Sequence, residues 1–161
     1  MTPSIPAIYA PKPVAAVLDL SARIVAGIVA LCCLTVLVIA RVLPPSPTGV
    51  STHLALGLQR CEFLQRTGIP CPTCGMTTSF SHFARGNIAA SLYVQPMGAL
   101  LAVLTTAAFW IALYMALTGK NVLRLLKIIP PSYYFLPLMF IGLAAWAWKI
   151  FIHLKGIDGW R

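Results

Sequence analysis

The sequence predicts an all-α integral membrane protein, with three transmembrane helices and two short interfacial amphipathic helices flanking a cysteine turn. Three observations carry this. Hydrophobic residues make up 59% of the 161 and charged residues only 9%, against roughly 45–50% and about 25% in soluble globular domains. Three long apolar runs are broken by proline-rich or basic stretches, and most basic residues stand near the ends of the runs. Between the first and second runs, three of the five cysteines crowd into one polar stretch with two prolines and a glycine.

The net charge of +9 comes from twelve Lys and Arg residues against only Asp19, Glu62 and Asp158. Arg23 and Arg41 flank one apolar run, and Lys120, Arg124 and Lys127 separate two others. Such placement suits lipid headgroups and membrane orientation. No Lys/Arg cluster with interleaved aromatics occurs, so the expected partner is the lipid bilayer and not nucleic acid.

Residues 1–19 form a proline-rich tail, extended or disordered, in which Pro3, Pro6, Pro11 and Pro13 exclude a regular helix. Asp19 or Ser21 can cap the first membrane helix, assigned to 20–43. Its uncharged core, Ile24 to Ala40, nears the span minimum, where about 20 residues are typical. A signal peptide competes for this segment, but no small-x-small cleavage site follows Arg41, so an uncleaved span is expected. Cys32 and Cys33 inside it read as small packing residues.

The run Pro44-Pro45-Ser46-Pro47-Thr48-Gly49 breaks the helix and opens a cysteine-containing loop over 44–95. Leu54, Leu58, Cys61 and Leu64 recur at helical spacing, and Gly68 is a plausible terminator, which gives the first interfacial helix. After the cysteine turn, Thr77 or Thr78 can cap a second short helix ending at Arg85-Gly86-Asn87, with Met76, Phe80 and Phe83 as its apolar side. Asn87 can cap a further helix that passes Gln95-Pro96, where Pro96 either kinks it or marks its entry into the bilayer, and continues as the second membrane helix at 96–118. Met97 to Leu117 is uncharged and about 32 Å long at 1.5 Å per residue. A short basic loop at 119–131 leads through Pro130-Pro131 into the third membrane helix at 132–154. Tyr133, Tyr134, Trp146 and Trp148 lie towards its ends as an aromatic belt, and Lys149 is placed to snorkel. Residues 155–161 form a short tail.

Basic residues are nearly balanced across the two sides. The compact cluster in the 119–131 loop assigns the N-terminus to the inside, which leaves the cysteine loop extracytoplasmic. Three spans with little loop mass suggest a homo-oligomer or a subunit of a larger membrane complex, and Gly98, Ala99, Ala102, Ala107 and Ala108 offer small residues for helix contacts.

The cysteine stretch comprises Cys61, then Thr67-Gly68-Ile69-Pro70-Cys71-Pro72-Thr73-Cys74-Gly75-Met76-Thr77, then Gly86-Asn87 and Gln95-Pro96. In this order it resembles the signature of a bacterial family called domain of unknown function 2752, made of small polytopic membrane proteins. The resemblance covers roughly residues 57 to 105 and implies a multi-pass architecture in a bacterial cytoplasmic membrane, without an activity. Two departures stand out: Thr78 occupies the place of an arginine, and Gln95 that of an asparagine.

The chemistry of the cysteines reads three ways. Cys71 and Cys74 can be half of a metal knuckle, with Pro72 fixing the turn and Gly75 letting backbone N–H groups approach the sulfurs. Cys61 then supplies a third thiolate and His82 or His53 a fourth ligand, for zinc or another thiolate-binding metal. Alternatively, the Cys-Pro-x-Cys pair is a redox dithiol activated by the helix that follows, with Cys61 as resolving partner. In the third reading the cysteines are structural, and Cys71 pairs with Cys61 or Cys74 to staple the loop. Glu62 is the single carboxylate of the loop, and no paired carboxylates, Ser/His/Asp set or phosphate cradle is present. His153 reads as an interfacial residue. The leading expectation is a non-catalytic accessory, assembly or complex subunit with a structural or metal-binding site at Cys61, Cys71, Cys74 and His82. The alternative is a membrane thiol-disulfide oxidoreductase using Cys71 and Cys74.

Overall fold

A computed structural model describes residues 18–50, 52, 54, 57, 59, 61–122 and 132–160. The proline-rich tail before Leu18, His53, Leu58, Arg60, and the basic loop with Arg124 and Lys127 lie outside them. The described residues are all-helical: α1 (Leu20–Val42), α2 (Glu62–Thr67), α3 (Met76–Ala84), α4 (Ile88–Val94), α5 (Pro96–Thr118) and α6 (Ser132–Leu154). Helices α1, α5 and α6 are long and apolar enough to cross a membrane. The protein therefore has the make-up of a multi-pass membrane protein.

Local chemistry explains the ends of the elements. Asp19 caps α1, its Oδ1 accepting from the Ala22 N–H at 3.2 Å, and the helix stops at Leu43 because a residue before proline avoids the α region. Pro96 opens α5, where its missing N–H costs no helix bond, and Gly119 closes it at φ 69°.

α1 runs antiparallel along α5. The residues buried on them are small, Ala26, Ala30 and Ala40 on α1 and Ala99, Ala102 and Ala112 on α5, whereas the buried Gly98 faces α3, where an added Cβ would lie 2.9 Å from Ser79. In a bilayer such surfaces let backbones approach closely enough for dispersion to hold them. Each end of the pair is closed by an arginine, Arg23 of α1 itself at one end and Arg85 from the end of α3 at the other. Arg23 Nε donates to the Ala116 carbonyl at 3.1 Å, and Arg85 Nη1 donates to the Leu43 carbonyl at 2.6 Å. These bonds satisfy carbonyls that a helix C-terminus leaves without partners.

α6 is held differently. It touches α5 only lightly and is fastened by polar groups of its C-terminal half. Trp146 Nε1 donates to the Pro70 carbonyl at 2.9 Å, Trp148 Nε1 to the Tyr93 carbonyl at 2.7 Å, and Lys149 Nζ to the Gly49 carbonyl at 3.2 Å. The last of these replaces the expected snorkelling. Lys149 is fully buried because the 44–50 loop and the chain after α6 fold over it.

Three further details differ from the sequence reading. Of the helix expected through Leu54, Leu58, Cys61 and Leu64, the described α-helical part is α2, whose N-cap is Cys61 with extended backbone. α3 is capped by Gly75 in the left-handed region, one turn position before Thr77 and Thr78, and it buries Thr78, Ser79 and Ser81 rather than its apolar residues. It does so because Ser79 and Ser91 exchange hydrogen bonds that clamp α3 to α4, the Ser91 hydroxyl donating to the Ser79 carbonyl at 2.8 Å. The helix from Ile88 is separate from α5, since Gln95 takes extended backbone at φ −160° ahead of Pro96, so three short helices lie between the long ones. Of the small residues of α5, Gly98, Ala99 and Ala102 are buried within the chain.

Candidate functional site

The site forms where the Cys-x-x-Cys turn meets α2, the start of α3 and the C-terminal half of α6. The turn is closed by the Cys74 N–H donating to the Cys71 carbonyl at 3.0 Å. Two outside groups fix it from behind. Trp146 holds the Pro70 carbonyl, and the fully buried Gln95 donates through Nε2 to the Pro72 carbonyl at 2.8 Å.

Cys61, Cys71 and Cys74 come together. Their sulfurs all lie within 4.8 Å of one another, and those of Cys71 and Cys74 are 3.0 Å apart. All three cysteines are free. Cys61 reaches the turn because it caps α2, a position at the entrance of the helix that faces the turn after Gly68 reverses the chain. A cavity of about 370 Å³ opens beside the sulfurs and is lined by Thr52, Thr73 and Thr78 as well. Thr78 is buried and its hydroxyl lies 2.8 Å from that of Thr52.

The two thiols of the turn are electrostatically unequal. Burial opposes ionisation of Cys71, but hydrogen bonds from Thr73, Cys74 and Cys61 overcome it and bring this thiol down to about 7. Thr73 Oγ1 stands 3.2 Å from its sulfur. For Cys74, burial and its hydrogen bonds to Cys71 and Cys61 push the thiol upward, so the shared proton stays on Cys74. The N-terminus of α3 follows directly and favours negative charge at the turn.

The other sequence candidates fall elsewhere. His82 is not in the sulfur group, because α3 carries it about 9 Å along the helix axis beyond Met76 at 1.5 Å per residue. Burial, together with the neighbouring Arg85 guanidinium, lowers its pKa. Cys32 and Cys33 remain on α1, and Glu62 forms an exposed ion pair with Arg66 at 2.5 Å. His153 contacts Asp158 Oδ2 through Nδ1 at 2.5 Å.

Sequence reasoning missed the floor of the site. Lys149 comes up from α6 beneath the turn: a Cβ added to Gly75 would lie 3.3 Å from its Nζ and 2.8 Å from the Gly49 carbonyl oxygen. The Asp158 carboxylate is the acid that interacts electrostatically with it. The signal was available, since a lysine inside an apolar run is costly in a membrane unless it has partners, and Asp158 is one of only three acids in the chain.

The sulfurs fit a metal ion. Around zinc, with Zn–S near 2.3 Å, tetrahedrally disposed sulfurs lie about 3.8 Å apart. The separations here, from 3.0 Å between the closest pair to at most 4.8 Å, bracket that value, so small side-chain rotations would bring three thiolates onto one ion. The three donors leave one position facing the cavity.

No curated protein and no solved structure gives a significant match to the chain. Residues 61–110, from the first cysteine of the triad into α5, match the model of the family described as protein of unknown function (DUF2752), the family that the cysteine stretch resembles.

Proposed function

We propose that the protein is a non-catalytic accessory or assembly subunit of a bacterial cytoplasmic membrane, in which Cys61, Cys71 and Cys74 hold a thiophilic divalent cation, zinc being the natural choice. The supporting observation is the convergence of three free cysteine sulfurs, brought from two separate elements to within 4.8 Å of one another. A dithiol needs two of them. The third, placed at the cap of α2, gives the set a coordination number that suits a soft metal. The fourth position is left to water or to a donor from a partner, His82 lying too far along α3 to reach it. In this reading the ion fixes the loop as a recognition surface on the extracytoplasmic side, and the subunit works as an oligomer or within a larger complex. Metal analysis of the protein purified in detergent tests it. One equivalent of a divalent cation, lost in Cys71→Ser, supports the site; a metal-free wild type, with no uptake of added zinc, ends it.

One observation favours a second reading. The Cys71 thiol, at about 7 beside a protonated Cys74, has the asymmetry of a nucleophile and its resolving partner. In a thiol-disulfide oxidoreductase, Cys71 would attack a substrate disulfide and release one thiolate. Cys74 would then displace the second thiolate, leaving the substrate reduced and the pair oxidised. Thiol trapping across a glutathione titration separates the readings, because a Cys71–Cys74 pair that never cycles is not catalytic.

A further inference from the structure

We propose that Lys149 is the fixed counter-cation of the cysteine site, so that the site takes a divalent thiophilic ion as a charge-compensated three-thiolate complex. The inference rests on the metal-binding reading and extends it to a residue outside the segment 61–110 that the family model matches.

Three observations carry it. Lys149 is fully buried although it stands in a helix apolar enough to span a membrane. Its one hydrogen bond among the described residues goes to the Gly49 carbonyl at 3.2 Å, which leaves two of the three ammonium protons for other partners. Gly75, the residue after Cys74, is the glycine whose missing Cβ admits it, since that atom would lie 3.3 Å from both Cε and Nζ.

The charges then add up. Three thiolates around a divalent ion leave one negative charge in a site whose neighbours are threonine hydroxyls and backbone, and a buried charge without a partner is costly. Lys149 supplies the single positive charge that compensates it. Asp158 is the competing anion, as it also interacts with Lys149. Its Oδ2, however, lies 2.5 Å from His153 Nδ1, so the carboxylate has a partner of its own. The lysine is a positioning residue that never touches the ion.

Two substitutions of opposite sign test the assignment. Binding of Co(II) to the full-length protein in detergent is followed through the sulfur-to-cobalt charge-transfer band, with helix content checked by circular dichroism. Lys149→Met is expected to weaken Co(II) about 10–100-fold, as loss of an outer-shell partner does. Asp158→Asn removes the competing anion and is expected to tighten binding. A structural role for the pair would make both variants weaker, and that result overturns the proposal, as does Lys149→Met binding within threefold of wild type. If Lys149→Met does not yield a helical protein, Asp158→Asn decides alone: tighter binding supports the counter-cation, and equal or weaker binding removes it. A wild type that binds no Co(II) refutes the metal site itself, a failure distinct from that of the lysine.

Discussion

Gly75→Ala isolates how closely the cysteine turn, the 44–50 loop and α6 meet. Two costs are expected. Gly75 has φ 90°, and an L-residue in the left-handed region costs roughly 1–2 kcal/mol. The new methyl would also stand 2.8 Å from the Gly49 carbonyl oxygen and 3.3 Å from the Lys149 side chain. A backbone carbonyl cannot rotate away, so the loop must shift, and such overpacking costs about 1–3 kcal/mol. Together the loss is about 2–5 kcal/mol. Gly68→Ala is the internal control: at φ 69° it carries the backbone cost, but no atom outside its own neighbours lies within 4 Å. The assay is unfolding in mixed detergent micelles, titrated with a denaturing detergent and read by tryptophan fluorescence. Gly75→Ala should lose at least about 1 kcal/mol more than Gly68→Ala. Equal losses would refute the close approach, and with it the position assigned to Lys149.

Site-resolved alkylation should find Cys71 the most reactive of the three clustered cysteines, its rate rising with pH through about 7 as the thiolate forms. Thr73→Ala should move that midpoint upward, and a wild-type midpoint near the ordinary thiol value of 9.0 would contradict the hydrogen bonding described. Trp146→Phe removes the donor to the Pro70 carbonyl and should lower stability by about 1 kcal/mol while increasing alkylation of Cys71; unchanged labelling would show that α6 does not brace the turn. Arg85→Gln should destabilise more than Arg23→Gln, because Arg85 makes partly shielded bonds to Leu43 and Ser81 whereas those of Arg23 are exposed. The reverse order in the same unfolding assay would refute this.

The long helices were legible because the signals for them are local. An uncharged run, an Asp or Pro at its start and a Gly at its end are each readable without knowing the partner, as at Asp19, Pro96 and Gly119. The triad was legible in composition, since Cys61, Cys71 and Cys74 are close in sequence. What failed depended on distant contacts. On α3 the polar face turned inward, because Ser79 and Ser91 satisfy each other, so the apolar pattern misjudged which side is buried. The fate of Lys149 was hidden for the same reason: its acceptor Gly49 is one hundred residues away, and a lysine near a helix end looks the same whether it reaches headgroups or a carbonyl. His82 looked suitable by residue type, and only the rise of α3 sets it apart from the sulfurs.

The way α6 is fastened has a consequence for biosynthesis. The three cysteines and the turn between them are made early, but Trp146 and Lys149, which close the site from below, leave the ribosome at least 72 residues after Cys74. Until α6 has been inserted, Pro70 and Gly49 lack the donors that hold them. A nascent or truncated chain ending before Ser132 would carry every cysteine and yet have a loosely held, chemically exposed triad. Completion of the site is therefore tied to insertion of the last helix, and thiol reactivity of the triad would report whether a given molecule has finished entering the membrane.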